Sequence, residues 1–178
     1  MASKPSVYMD SCCLIDAVKH EVGEPIPGRE QDVQFTRKLL QAHKAGDLIV
    51  YTSTLSIVEC VAVRAGQAIV PSDVQDRFRR LLTSGQYLVL LQQTPRTWKI
   101  AQDIRWTHNL ILGGADSIHI AAFLEKGAAE FITLDDRLKS SKMHAVATAL
   151  GSAGRRFCRA SDTQALPADY LQGSLLNE

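Results

Sequence analysis

Four acidic residues, Asp10, Glu59, Asp116 and Asp135, stand at the ends of strand-like runs or in the first turns of helical ones. Asp10 closes the run Ser6-Val7-Tyr8-Met9, and Asp135 closes Phe131-Ile132-Thr133-Leu134. Asp116 falls in the first turn of a helix that follows Gly113-Gly114, and Glu59 lies about one turn into the helix after a second strand. In a parallel α/β sheet, all four can reach the carboxyl edge of the strands, where ligands bind. Carboxylates gathered there repel one another and are hard to ionise together. They persist as a set mainly when a divalent cation neutralises them. An all-oxygen donor set suits Mg²⁺ or Mn²⁺, with water completing the octahedron. A cation held this way generates hydroxide and stabilises a pentavalent phosphate during in-line displacement, which is the chemistry of phosphodiester hydrolysis.

Each acid also has a plainer reading. Asp10 and Ser11 are good N-caps for the helix that follows. Asp116 in a first turn is favoured by the helix dipole. Glu59 sits among Leu55, Ile57, Val58, Cys60, Val61, Ala62 and Val63, so it lies either on a narrow solvent-facing strip or against a polar cleft. His119, three residues after Asp116, reads as a hydrogen-bonded structural residue rather than a catalytic base.

The elements that must position these residues alternate between strand and helix, which indicates a parallel sheet. Strands are expected over Val7-Tyr8-Met9, Leu48-Ile49-Val50-Tyr51, residues 86–91 and Glu130-Phe131-Ile132-Thr133, with a last edge strand over 155–159. Helices are expected over residues 13–19, 31–45 with Gly46 as stop, 55–65 capped by Thr52-Ser53-Thr54, and 72–84 capped by Ser72. Further helices are expected from Pro95 to about 108, from Ala115 to about 126, and over 142–150. Residues 161–178 read as a partly ordered tail in which Tyr170, Leu171 and Leu175 could pack on the body.

Composition narrows the class further. With 178 residues, 46% of them hydrophobic, the chain can form one domain with a substantial core. A net charge of +1 identifies no partner, and a dedicated duplex binder is usually far more basic. No apolar run approaches the roughly 20 residues that cross a bilayer, and the N-terminus lacks the apolar centre of a signal peptide. The expectation is therefore a protein of the cytoplasm, with no membrane partner. The four cysteines form no CxxC pair and the five histidines have no metal-ligand spacing. There is no GxGxxG, no P-loop lysine and no GxSxG elbow. A haloacid-type phosphotransferase would need an acid at position 12, which is Cys12.

Asp10-Ser11 after a strand, Glu59 in a helix preceded by Ser56, Gly114-Ala115-Asp116 opening a helix, and Thr133-Leu134-Asp135 after a strand together resemble the PIN domain, the fold of VapC-type toxin ribonucleases. The resemblance covers about residues 5–160. It implies a three-layer α/β/α fold with a mainly parallel sheet of four to five strands, and a single domain over 1–178 with residues 161–178 as its tail. It implies a metal-dependent endoribonuclease cutting single-stranded or structured RNA with a metal-activated water. Asp10, Glu59, Asp116 and Asp135 would hold Mg²⁺ or Mn²⁺, supported by Ser11, Thr133 and Asp136. A small antitoxin protein and a homodimer are the implied protein partners.

Three departures from the family pattern stand out: Cys12 where Ser or Asn is frequent, Asp136 beside Asp135, and extra length near residues 21–29 and after 159. With these departures goes an alternative, a catalytically silent module of the same fold that binds RNA or protein. Arg137, Lys139, Lys142, Arg155, Arg156 and Arg159 form either a phosphate-holding flank of the acidic cleft or an ordinary solvated surface.

Overall fold

The structure, a computed structural model, describes residues 4–172. Five strands, β1 (Ser6–Met9), β2 (Ile49–Ser53), β3 (Val89–Leu91), β4 (Glu130–Ile132) and β5 (Arg156–Cys158), form one sheet in the order β3-β2-β1-β4-β5. Every pairing is parallel. The carboxyl ends of all strands therefore share one edge. β1 lies in the centre, and the order reverses beside it, which is the crevice where open α/β sheets bind ligands.

Alternation along β1 assigns its side chains to two cores. Val7 and Met9 face α1 (Ser11–Glu21), α2 (Glu30–Ala45) and α4 (Ser72–Thr83). Tyr8 faces α5 (Pro95–Trp106), α6 (Gly114–Lys126) and α7 (Ser141–Ala149). The second core is aromatic: Tyr8 stacks on Phe131 at 5.3 Å between centroids, and Phe123 meets Phe131 and Phe157 edge-on. Helices on both faces give the three-layer α/β/α arrangement that the resemblance implies.

Most element boundaries follow the local signals. α2 stops where Gly46 adopts φ +85°, a left-handed conformation natural to glycine, and the Gly46 and Asp47 amides close the last turn. α5 begins with a Thr94–Thr97 capping box and Pro95. α6 ends at Gly127, φ +80°.

Four expectations need correction. The helix expected over residues 55–65 is a single turn, α3 (Ser56–Glu59). Cys60 leaves helical space at φ −85°, ψ 62°, which turns Cys60 and Val63 into the first core, and burial outweighs continuation of so short a helix. Thr52 and Ser53 belong to β2 and do not cap it. Ser72 does not cap α4, whose N-cap position is Pro71 with no side-chain bond. The third strand is shorter than expected, at three residues.

Two buried carboxylates fasten the segment after β5. Asp32 accepts from the Ser161 amide at 3.1 Å and its hydroxyl at 2.8 Å. Glu130 accepts from Arg156, Thr163 and the Gln164 amide. Leu166 is buried, and Tyr170 in α8 (Ala168–Gln172) donates to Asp47 at 2.7 Å. Leu171 is half exposed, and Leu175 lies outside the described residues.

Candidate active site

β1 delivers Asp10 to the carboxyl edge, and its amide bonds to the Ile132 carbonyl at 2.9 Å, extending the sheet by one residue. Asp10 combines the two readings its sequence allows. Oδ1 caps α1 by accepting from the Ser11 amide at 2.8 Å. Oδ2 accepts from the Thr133 hydroxyl at 2.7 Å and from the Cys12 thiol at 3.2 Å. Cys12 thus stands in for the expected oxygen donor, and its sulfur also accepts from the Leu134 amide at 3.3 Å. Thr133 in turn accepts from the Asp135 amide at 3.0 Å. A single hydroxyl therefore ties Asp10 to the turn carrying Asp135.

Glu59 reaches the same edge from α3. Its Oε2 accepts from the Ser11 hydroxyl at 2.5 Å and faces Nε2 of the buried His119 at 2.7 Å. A carboxylate can only accept, so Nε2 donates, and Nδ1 meets the Tyr8 hydroxyl at 2.8 Å. Ser56 links Ser11 (2.9 Å) to Thr52 (2.8 Å) beneath this group. Burial by itself would raise the Glu59 carboxyl, but the bonds from His119 and Ser11 prevail and hold it below its ordinary value. Oε1 takes no protein donor among the described residues. Glu59 is thus half-buried against a polar cluster and does not lie on a solvent strip.

Asp116 occupies the first turn of α6 and is not its cap, a position held by Gly113. Burial, and next the charge of Asp10, raise its carboxyl above the ordinary carboxylate value. Asp135 is the N-cap of a 3₁₀ turn, Asp136–Lys139. The Arg137 guanidinium grips both Asp135 oxygens, Nε to Oδ1 at 3.0 Å and Nη2 to Oδ2 at 2.5 Å, and holds that carboxyl below its usual value. The same nitrogen lies 3.7 Å from Asp116. A ring of contacts results: Asp10, Thr133, Asp135, Arg137 and Asp116, then one helical turn to His119, Glu59 and Ser11.

Asp136 stays out of this ring. It is 77% exposed and pairs with Lys139 and Arg159. The basic run is also dispersed. Arg155 and Arg156 lie at the amino ends of the strands, the edge opposite the acids, where they bond to Ala128 and Glu130. Arg159 pairs with Asp32 and Asp136, and Lys142 donates to the Asn109 carbonyl. Only Arg137 contacts the acidic edge. Cys60 and Cys158 are thiols pushed up to about 12 by burial, so neither offers a thiolate.

Sequence reasoning did not pair His119 with Glu59 or Arg137 with Asp135. The signal for the first was the three-residue spacing of Asp116 and His119, which puts both on one helix face. Nothing local marks the second.

Among the described residues, no three His, Cys, Asp or Glu side chains come together closely enough to hold a metal ion as they stand. The donor chemistry nevertheless suits a hard cation. Burial and then the charge of Asp10 raise the cost of ionising Asp116, and Arg137 already supplies a positive charge between Asp116 and Asp135. One or two carboxylates with bound water are what Mg²⁺ ordinarily takes from a protein.

A five-stranded parallel sheet covered on both faces, with part-buried acids at its switch point, defines an open α/β domain whose ligand crevice lies at that edge. The profile of the PIN domain family matches residues 7–142, a span containing all four acids. The chain belongs to the PIN domain family. PIN domains are generally nucleases, commonly bind nucleic acid and generally use divalent metal ions. No curated protein matches the chain. Among the described residues, no helix is long and apolar enough to cross a membrane.

Proposed function

We propose that this protein is a Mg²⁺- or Mn²⁺-dependent endoribonuclease that hydrolyses phosphodiester bonds of single-stranded RNA. The observation that carries the reading is the Arg137 cation lodged between Asp135 and Asp116, the second of which also feels the charge of Asp10. This edge requires positive charge. Asp10 and Asp116 would hold the metal, joined by Asp135 once Arg137 turns away. Bound there, the metal would supply an activated water and neutralise charge on the phosphate. Glu59, fixed through one oxygen by Ser11 and His119, keeps Oε1 for a water. Thr133 and Cys12 fix the rotamer of Asp10. Arg137, released from Asp135, is free to meet the phosphate of the strand.

The finer placement is a VapC-type toxin working in the cytoplasm with a small antitoxin protein, and a homodimer. The family membership and four free cysteines, which suit a reducing compartment, support it. A small overlapping gene upstream is the expected genomic sign. Asp10→Asn and Asp116→Asn should abolish cleavage of single-stranded RNA in Mn²⁺ while leaving far-UV circular dichroism unchanged. Variants that cut as fast as the parent would remove these acids from the site. The second reading is a silent PIN module. It is favoured by the absence of three converged ligands among the described residues. RNA binding without product in any divalent cation would establish it instead.

A further inference from the structure

A second polar site lies away from the acidic edge. A cavity of about 230 Å³ opens between α1, α2 and α4 over an apolar floor. Four cationic side chains line it, Arg37 and Lys44 from α2 and Arg77 and Arg80 from α4, against one acid, Glu21. The helical spacings bring each set to one face: 37 and 44 are two turns apart, 77 and 80 one turn apart. The local excess is three positive charges in a chain whose formal net charge is +1.

The pairing inside the cavity is incomplete. Glu21 bonds Arg77 at 2.9 Å and stands 3.4 Å from Arg80. Lys44 lies over the Tyr87 ring, 5.4 Å from its centroid. Arg37 is half-buried and has no carboxylate partner among the described residues. A part-desolvated guanidinium without a counter-charge is costly, and an oxyanion with several acceptors offsets that cost best. Arg79, the third arginine of the α4 run, pairs with Asp76 and does not line this cavity.

We propose that this cavity binds a phosphate group, with Arg37 and Arg80 as its donors and Glu21 holding Arg77 in place. The phosphate comes either from the backbone of a nucleic-acid strand or from a free nucleotide. α1 has Ser11 at the acidic edge and Glu21 at this cavity, and ten residues of helix separate the two by about 15 Å. The cavity is thus a site of its own and does not depend on the nuclease reading.

Calorimetric titration of the full chain with pyrophosphate, in EDTA and at low salt, tests it. The parent should bind one equivalent. Arg37→Ala and Arg80→Ala should each weaken binding about tenfold, as expected for loss of a charged hydrogen bond. Glu21→Gln should tighten it, and Arg79→Ala should leave it unchanged. Melting temperatures within error of the parent show that each variant is folded, and the two arginine variants serve as independent checks. A labelled single-stranded RNA and a nucleoside diphosphate distinguish the sources. If Arg37→Ala weakens RNA binding and pyrophosphate competes with it, the strand is the ligand. If only the diphosphate competes with pyrophosphate, a nucleotide is. Absence of binding at millimolar pyrophosphate, or equal binding by the parent and both arginine variants, overturns the proposal. Because no divalent metal is present, neither outcome bears on cleavage at the acidic edge.

Discussion

Glu59 and His119, sixty residues apart in sequence, meet at 2.7 Å, and the far ring nitrogen of His119 closes on Tyr8. The imidazole therefore joins a buried tyrosine of the central strand to an acid at the sheet's edge. It is 1% exposed, so it orients Glu59 from below and does not reach into the cleft.

Removing that imidazole should be expensive. His119→Ala takes a partner from the Tyr8 hydroxyl, leaves Glu59 with Ser11 alone and opens a cavity beside Tyr8. A loss of about 3 kcal/mol is expected from an unsatisfied buried donor plus the cavity. Denaturant titration reads it directly. A change below about 1 kcal/mol would mean that the contact carries little.

Asp116 should oppose folding as it ionises. Its carboxyl is raised in the folded state, by burial and then by Asp10. The sign for a raised acid is a penalty that is absent below the unfolded-state value and grows as pH rises towards the folded value, then stays constant. Asp116→Asn should therefore melt higher than the parent at pH 7, with the two converging in acid. Identical melting curves at both pH values would sink the argument.

Glu59 behaves oppositely. Its carboxyl is held low, so its stabilisation is present at neutral pH and lost as pH falls through the folded value. Glu59→Gln should flatten the acid limb of stability against pH. The measurement is a set of thermal melts from neutral pH to below the carboxylate range. An unchanged acid limb counts against the His119 and Ser11 bonds as its cause.

Arg137 pairs with Asp135 and Asp116, so under the proposed function a metal would compete with it. Arg137→Ala should increase the upward shift in melting temperature that millimolar Mn²⁺ produces, because binding to the native state no longer displaces a guanidinium. If the arginine also meets the RNA phosphate, the variant should raise KM. A smaller Mn²⁺ shift in the variant would show that the guanidinium does not oppose the ion.

Glu130 anchors the segment after β5. Glu130→Ala should cost about 3 kcal/mol, as for breaking a buried charged network, and should hasten proteolysis after residue 158. Unchanged cleavage would mean that Asp32 and Leu166 suffice to hold the segment.

The sequence by itself determined the layers. Val7, Tyr8 and Met9, the Gly46 and Gly127 stops and the Thr94-Pro95 start act within a few residues, and local physics suffices for them. Once the sheet is parallel, the carboxyl edge is fixed, so the approximate address of Asp10 and Asp135 follows from strand ends, and that of Glu59 and Asp116 from the starts of helices. Only the tertiary structure decided what each acid touches. Glu59 meets His119 because α3 stops after one turn, and it stops because Cys60 and Val63 find a core assembled from distant elements. Arg137 turns back onto Asp135 and Asp116, while Arg155 and Arg156 fall at the opposite edge because β5 runs parallel to β4. Spacing along the chain records which residues share an element. Contact between elements depends on how they pack, and that packing set which charges neutralise one another at the edge where Asp10 stands.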